Sequence, residues 1–333
     1  MRTLTTIWSF WDAQKYPSHK IVLEWEEILA KELNLKIRKG DKWNDKFHRC
    51  FEKFGITDLY HKILPKHNVR LDFVMCARLN KVCEYNKNTI PVIIDYWLED
   101  KDIPAFVEVF KHCPLVLLTN KEVYDLLKAK GCTLNIEHWP LSFPDYYKLT
   151  PDKVKSKEYE FSVIGRPNPF FMRMLDRYCQ THDNFTYLMN NGDIHNRKYI
   201  NHKGDVVADG NSRQDYLNMI RKTKISCYTT PGMDEAKKDT SKFNQVTPRV
   251  FELLANGCQV IGHYPQRGAD VLWYHLSDVI PNVDNYDEFE EILDKMRFST
   301  FDYDNVKKFM DANYTSTRAY MLREILAKYD IGV

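Results

Sequence analysis

The amino-acid sequence predicts an α/β fold of two doubly wound domains, each a parallel sheet flanked by helices. Three observations carry this. The chain has 333 residues, more than one hydrophobic core usually serves, so two domains of about 150 residues each are expected. Short apolar runs of strand length alternate with amphipathic stretches of helical period, the pattern of strand–helix–strand units. That alternation also breaks off in mid-chain and then restarts.

In the first half, Thr3 to Phe10 has the length and composition of a strand. Ile21, Trp25, Ile28, Leu29 and Leu33 recur at helical spacing and give an amphipathic helix. Asp72 to Ala77 and Pro91 to Tyr96 read as strands, Ala105 to Lys111 as a helix, and Leu115 to Leu118 as the next strand. Thr119 or Asn120 caps a helix over Glu122 to Lys130, which Gly131 ends. The strand Leu134 to Glu137 leads into His138-Trp139-Pro140-Leu141. Prolines, lysines and aspartates without periodicity then make 146–157 a linker between a domain at 1–145 and one at 158–314.

The second half repeats the scheme. Strands are expected at Glu160 to Ile164, Phe185 to Met189, Lys224 to Tyr228 and Val279–Ile280. Helices are expected at Phe170 to Thr181, Arg213 to Lys222 and Tyr286 to Lys295, with terminal helices from Asp304 onward. Two such domains facing a cleft would bind a ligand beside the C-terminal ends of their strands.

Composition excludes several classes. A net charge of +2 does not indicate a general nucleic-acid binder. The eight cysteines are scattered, with no C-x-x-C and no metal-type pairing with histidine, so they read as free thiols in a reducing compartment. No charged start followed by a long apolar run marks a signal peptide, and no apolar stretch approaches the roughly 20 residues that span a bilayer. The expectation is a cytoplasmic protein, at most peripheral on the inner face of a membrane. From Lys31 to Arg70 there are 11 Lys/Arg against five Asp/Glu, interleaved with Trp43, Phe47, Phe51 and Phe54. That composition suits an anionic membrane surface or a lipid-diphosphate acceptor, and equally a solvated helical face. There is no P-loop and no G-x-G-x-x-G. Asp302-Tyr303-Asp304 has a metal–diphosphate form, but just before a helix it reads as an N-cap, so no metal site is expected.

The densest chemical signal runs from Asn244 to Tyr264. A short helix holds Val250, Phe251, Leu253, Leu254 and Ala255, Asn256-Gly257 stops it, and Cys258 to Ile261 follows as a buried strand. Glu252 sits among these apolar residues, where a carboxylate has to be solvated, paired or bonded to a ligand. The stretch resembles the nucleotide-sugar signature of GT-B glycosyltransferases, especially the group-1-like and spore-maturation-type branch. That pattern is roughly Arg-x-Phe-Glu-x-x-Ala-x-Gly before a hydrophobic strand, and Arg249, Phe251, Glu252, Ala255 and Gly257 match it in register. The order of elements is also similar to that fold over most of the chain.

The resemblance implies a GT-B transferase with a UDP- or GDP-sugar as donor substrate, no tightly bound cofactor, and a glycan or lipid-linked acceptor. It implies a setting in bacterial surface polysaccharide assembly (O-antigen, capsule or lipopolysaccharide), retaining and metal-independent chemistry, and a C-terminal helix over 315–333 packing back on the first domain. Glu252 takes the role of the ribose-binding glutamate. The loop after the first strand of the second domain holds Gly165 and Arg166, with Arg173 further on, and a basic residue there holds the donor diphosphate; both arginines are candidates. Arg249, three residues before Glu252, pairs with it or neutralises the departing diphosphate, a task Lys242 can share. The family's Glu-x7-Glu has Asn244 at its first position here, so an amide faces the donor sugar. Thr229 begins a loop suited to contact base or sugar. Asp12, His19 and Asp95 are candidates for activating the acceptor hydroxyl. Two other readings fit the same residues: a non-catalytic nucleotide- or glycan-binding protein, and a nucleotide-sugar epimerase on the same fold.

Overall fold

A computed structural model describes residues 2–9, 20–39, 50–64, 68–76, 84–96, 98–165, 168–191, 197–210, 212–233 and 243–333. The chain divides into two compact units, one reaching Pro144 and resuming at Thr315–Val333, the other spanning Asp145–Tyr314.

In the first unit, β1 (Arg2–Ser9), β3 (Val69–Cys76), β4 (Thr89–Asp95), β5 (Val116–Leu118) and β6 (Ile136–His138) form a parallel sheet in that order. Two short strands share the other side of β1: β2 (Lys36–Lys39) against Thr6 to Ser9, and β13 (Ile331–Gly332) against Arg2 and Thr3. The order β2-β1-β3-β4 reverses direction between β1 and β3, which makes a doubly wound topology with its switch point there. Strand β4 is a buried run, Thr-Ile-Pro-Val-Ile-Ile, as a strand covered on both faces requires. Helix α1 (Lys20–Glu32) buries Ile21, Val22, Trp25, Ile28 and Leu29. α2 (Thr57–Ile63) and α3 (Ile103–Phe110) follow, and Asn120 caps α4 (Lys121–Ala129), its side chain accepting from the backbone of Glu122 and Val123.

In the second unit, with β9 at Lys198–Asn201 and β10 at Val206–Asp209, the order is β10-β9-β8-β7-β11-β12. β7 (Tyr159–Val163), β8 (Tyr187–Asn191), β11 (Thr223–Thr229) and β12 (Gln259–His263) are parallel. Here the winding reverses between β7 and β11. Helix α5 (Pro169–Thr181) follows β7, α6 (Arg213–Arg221) precedes β11, and α7 (Pro248–Ala255) links β11 to β12. Phe161, Phe171, Leu175, Tyr178, Phe289 and Leu293 form the core between the sheet, α5 and α9 (Tyr286–Phe298). α8 (Ala269–Tyr274) and α10 (Tyr303–Asp311) complete the unit; Asp302 caps α10, accepting from the Asn305 amide.

The structure departs from the sequence expectations in three places. Val279–Ile280 is no strand; it leaves a 3-10 turn at Leu276–Asp278, and the neighbouring Asn282 makes a single bridge with Gly262. The sheet extends through β9 (Lys198–Asn201) and β10 (Val206–Asp209), antiparallel strands absent from the sequence reading. Residues 145–157 group with the second unit, with single 3-10 turns at Asp145–Tyr147 and Pro151–Val154. The final helix, α11 (Thr315–Lys328), lies in the first unit, where Trp139 donates to the Arg318 carbonyl at 3.0 Å and Arg323 to that of Glu32. No helix among the described residues is long and apolar enough to cross a membrane.

Candidate functional site

The site gathers at the C-terminal ends of β7 and β11, where the second sheet reverses its winding and a doubly wound fold binds ligands. Gly165 leaves β7 with φ of +95°, a conformation that side chains avoid. Its bare Cα face is covered by Arg249: a Cβ built on Gly165 would lie 2.3 Å from Nη2 and 2.5 Å from Cζ of that guanidinium. Glycine at 165 therefore provides both the turn and the room for a cation beside it. Asn168 then caps α5, its Oδ1 accepting from the Phe170 amide at 2.8 Å, with Pro169 at the first helical position. Arg173 is exposed on the same helix.

Helix α7 supplies both Arg249 and Glu252. Val250, Phe251, Leu253, Leu254 and Ala255 are buried around Glu252, whose side chain is only 9% exposed. The sequence offered Arg249 as a partner for this carboxylate, but Arg249 turns to Gly165 instead. The partners of Glu252 come from α6: Arg213 Nη1 donates to Oε1 at 2.6 Å, and Tyr216 Oη donates to Oε2 at 2.7 Å. Arg213 and Tyr216 are three residues apart and so share one face of α6. Ser212 caps that helix by accepting from the Asp215 amide, and the Tyr147 ring lies 5.3 Å below the Arg213 guanidinium. Desolvation, with the Glu252 charge beside it, holds the Tyr216 phenol well above its ordinary range. It therefore stays a donor. Burial likewise pushes the fully buried Tyr199 of β9 up to about 12, with the charges of Asp215 and Glu252 adding to the shift.

The described residues 229–233 and 243–249 are held at several points. Thr229, half-buried, ends β11, and the next residue, Thr230, donates to Asn244 Oδ1 at 2.8 Å. Asn244 lies on the turn at Pro231–Met233, where a Cβ on Gly232 would come within 2.6 Å of its Oδ1. The Val246 amide donates to buried Asp270 at 2.5 Å and the Thr247 amide to the Tyr228 hydroxyl at 2.9 Å. At the end of β12, His263 stacks on Phe170 with centroids 3.9 Å apart and planes 6° from parallel. Its Nδ1 is 2.8 Å from the Val283 carbonyl, which fixes the proton on Nδ1 in the neutral ring.

The structure thus brings Gly165 together with Arg249, and sets Asn244 against Thr230 and Gly232, just after Thr229 at the end of β11. Asp95 is half-buried at the end of β4 in the first unit. Asp12, His19, Arg166 and Lys242 lie outside the described residues. Sequence reasoning missed Arg213, Tyr216, Tyr199 and His263; a cation and a phenol at helical spacing on an expected helix was the one signal available for the first two. Among the described residues, no group of three or more His, Cys, Asp or Glu side chains is placed to hold a metal.

No protein-family model and no curated protein matches the chain. Solved structures do match. HepE of Anabaena, solved in complex with UDP, is 10% identical with a TM-score of 0.55, covering 98% of this chain and 100% of that one. Sucrose-phosphate synthase of Thermosynechococcus elongatus is 10% identical with a TM-score of 0.57, covering 98% and 99%. The trehalose-6-phosphate synthase OtsA is 13% identical with a TM-score of 0.51, covering 95% and 83%. At such identities the likeness is one of fold: the chain has the two-domain GT-B fold of these glycosyltransferases.

Proposed function

We propose that this chain is a glycosyltransferase that moves a sugar from a UDP- or GDP-sugar to a glycan or lipid-linked acceptor in bacterial surface polysaccharide assembly. The observation that carries the reading is a shared edge. One end of the second sheet presents a left-handed glycine turn at Gly165, a guanidinium packed on that turn, and an oriented carboxylate three positions further along the same α7. A nucleoside diphosphate needs those three things: amides and a cation for the phosphates, an acceptor for the ribose hydroxyls. HepE, with the same fold, was solved with UDP.

In this reading the second unit takes the donor and the first unit, 1–145 with the helix over 315–333, takes the acceptor. Glu252 accepts from the ribose, and Arg249, with Arg166, Arg173 and Lys242, faces the diphosphate. Gly165 lets the backbone approach it, and Thr229 and Asn244 face the sugar. The bond from the anomeric carbon to the β-phosphate oxygen breaks, and its electron pair leaves on the diphosphate. The acceptor oxygen bonds to that carbon and gives up its proton, with Asp12, His19 and Asp95 as the candidate groups to receive it. Charge developing on the leaving group meets the fixed cation of Arg249, which supports metal-independent departure. The retaining outcome follows the resemblance. Phe54, Ile56, Leu59 and Ile63 are all exposed, which supports a peripheral contact of 31–70 with a membrane on its cytoplasmic face.

The test is a thermal-shift panel with UDP, GDP, ADP, CMP and dTDP, with and without Mg²⁺. At 100 times its dissociation constant a ligand of the folded state adds about 2.7 kcal/mol. UDP or GDP should raise the midpoint by several degrees without the metal. A flat response to all five would turn the reading toward a glycan-binding protein without transfer activity.

A further inference from the structure

Building on the donor-site reading, we propose that Lys157 is a positioning residue for nucleoside diphosphate binding in the second unit. Its ammonium closes the C-terminal ends of α6 and α7 on each other, and so sets Arg213, at the start of α6, against Glu252, one turn inside the end of α7.

Lys157 belongs to the stretch that the sequence reads as a linker, yet its side chain serves two helices at once. Nζ donates to the carbonyl of Arg221, the last residue of α6, at 3.0 Å, and to that of Asn256, which caps α7, at 2.9 Å. The last carbonyls of a helix have no partner inside it and carry partial negative charge. Two such ends brought to one point repel each other, and a single cation between them offsets both. The same junction holds Cys258, whose Sγ lies 3.1 Å from the Ile220 carbonyl oxygen and 3.2 Å from that of Thr223. The Glu158 amide donates to the Lys222 carbonyl at 2.7 Å, which fixes the backbone beside Lys157 to the end of α6.

Contacts run from this junction to the site without a gap. Asn256 accepts from Lys157, and its Nδ2 donates to the Glu252 carbonyl at 2.8 Å. The Glu252 carboxylate accepts from Arg213 at 2.6 Å, and Arg213 opens the helix whose last residue returns to Lys157. The two helices are therefore joined twice, at Lys157 and at the Arg213–Glu252 pair. The linker reaches both places, since the Tyr147 ring lies 5.3 Å from the Arg213 guanidinium. At nine residues α6 is about 14 Å long, and a rigid element of that length carries a tilt from one end to the other. A misplacement of about 1 Å at a site costs up to about a hundredfold.

The experiment is calorimetric titration of UDP and GDP into the wild type, Lys157→Met, Lys157→Arg and Leu293→Val, with the stability of each protein measured in urea. Methionine keeps the length and removes the cation with its donors; arginine keeps both. Leu293 lies in the core of α5, α9 and the sheet, so its shortening controls for lost stability alone. Lys157→Met should weaken binding of the better nucleotide by about tenfold and Lys157→Arg by about threefold or less. Leu293→Val should unfold at lower urea and keep the wild-type affinity. If Lys157→Met is less stable yet binds as the wild type does, the lysine merely supports the fold and the inference is overturned. Equal losses of affinity in Lys157→Met and Leu293→Val overturn it too, because any loss of stability would then suffice. So does a Lys157→Arg protein that binds no better than Lys157→Met. A wild type that binds neither nucleotide removes the donor-site reading, and this inference with it.

Discussion

Two glycines show how one residue type serves different ends. Gly131 ends α4 with φ of +73°, and a Cβ there would meet nothing within 4 Å. Gly165 also has positive φ, but a Cβ there would strike the Arg249 guanidinium. A left-handed backbone costs a non-glycine residue about 1–2 kcal/mol, so Gly131→Ala and Gly165→Ala should both lower stability by about that much. The obstacle at 165 is the far end of a flexible side chain, which moves aside more cheaply than backbone would. Gly165→Ala should therefore add little further loss of stability and instead displace Arg249, weakening nucleoside diphosphate binding by about tenfold, the worth of one charge-assisted contact. Denaturant melts paired with calorimetry check this. Equal loss of affinity in Gly131→Ala would mean that the effect comes from stability and not from Arg249.

At the scale of elements, the segment from 50 to 64 carries the membrane part of the reading. Phe54 is 68% exposed, Leu59 51% and Ile63 59%, apolar side chains that insertion into a membrane surface would take out of water. Lys53 and Lys62 are exposed beside them, while Glu52 and Asp58 offset those two charges, so the display itself is nearly neutral and insertion of the apolar residues has to supply most of the affinity. Phe54→Ser with Leu59→Ser should abolish sedimentation with vesicles containing anionic lipid while leaving nucleotide binding intact; unchanged sedimentation would remove the membrane contact. This segment was legible as composition but not as structure, since its apolar residues follow no single helical stripe. Elements with internal periodicity were legible: α7 and β12 appear where Val250 to Ala255 and Cys258 to Ile261 placed them. Elements defined by their neighbours were not. Strand β2 is Lys-Ile-Arg-Lys, wholly exposed, and is a strand because β1 offers it an edge. Hairpin β9–β10 turns on Asn201, whose side chain accepts from the amides of Lys203 and Asp205, a local device that apolar periodicity does not reveal. The same holds in the site: Glu252 was visible among apolar neighbours, whereas its partners lie 39 and 36 positions away on another helix.

At the scale of the whole molecule, two buried groups of the first unit set opposing pH dependences. Burial, with Lys121 and Arg318 nearby, pushes His138 from its ordinary 6.5 down to about 3. Burial, with the charges of Asp72 and Glu27, pushes Glu26 from its ordinary 4.5 up to about 8, against the hydroxyl of Ser9. For His138 the unfolded chain binds the extra proton below pH 6.5, so stability falls as pH drops from 6.5 toward 3. For Glu26 the folded chain holds the extra proton above pH 4.5, so stability falls as pH rises from 4.5 to 8. Between 4.5 and 6.5 the two slopes cancel, which predicts a plateau there with a decline on either side. At 1.36 kcal/mol per pH unit, the alkaline arm from 6.5 to 8 is worth about 2 kcal/mol. Glu26→Gln removes the titrating group in nearly the same volume and should flatten that arm, while the acid arm stays. His138→Asn should do the reverse. Urea denaturation at half-unit steps from pH 4 to 8.5 resolves both arms, and a wild type that declines on the alkaline side as steeply as Glu26→Gln would mean that Glu26 is ionised in the folded protein.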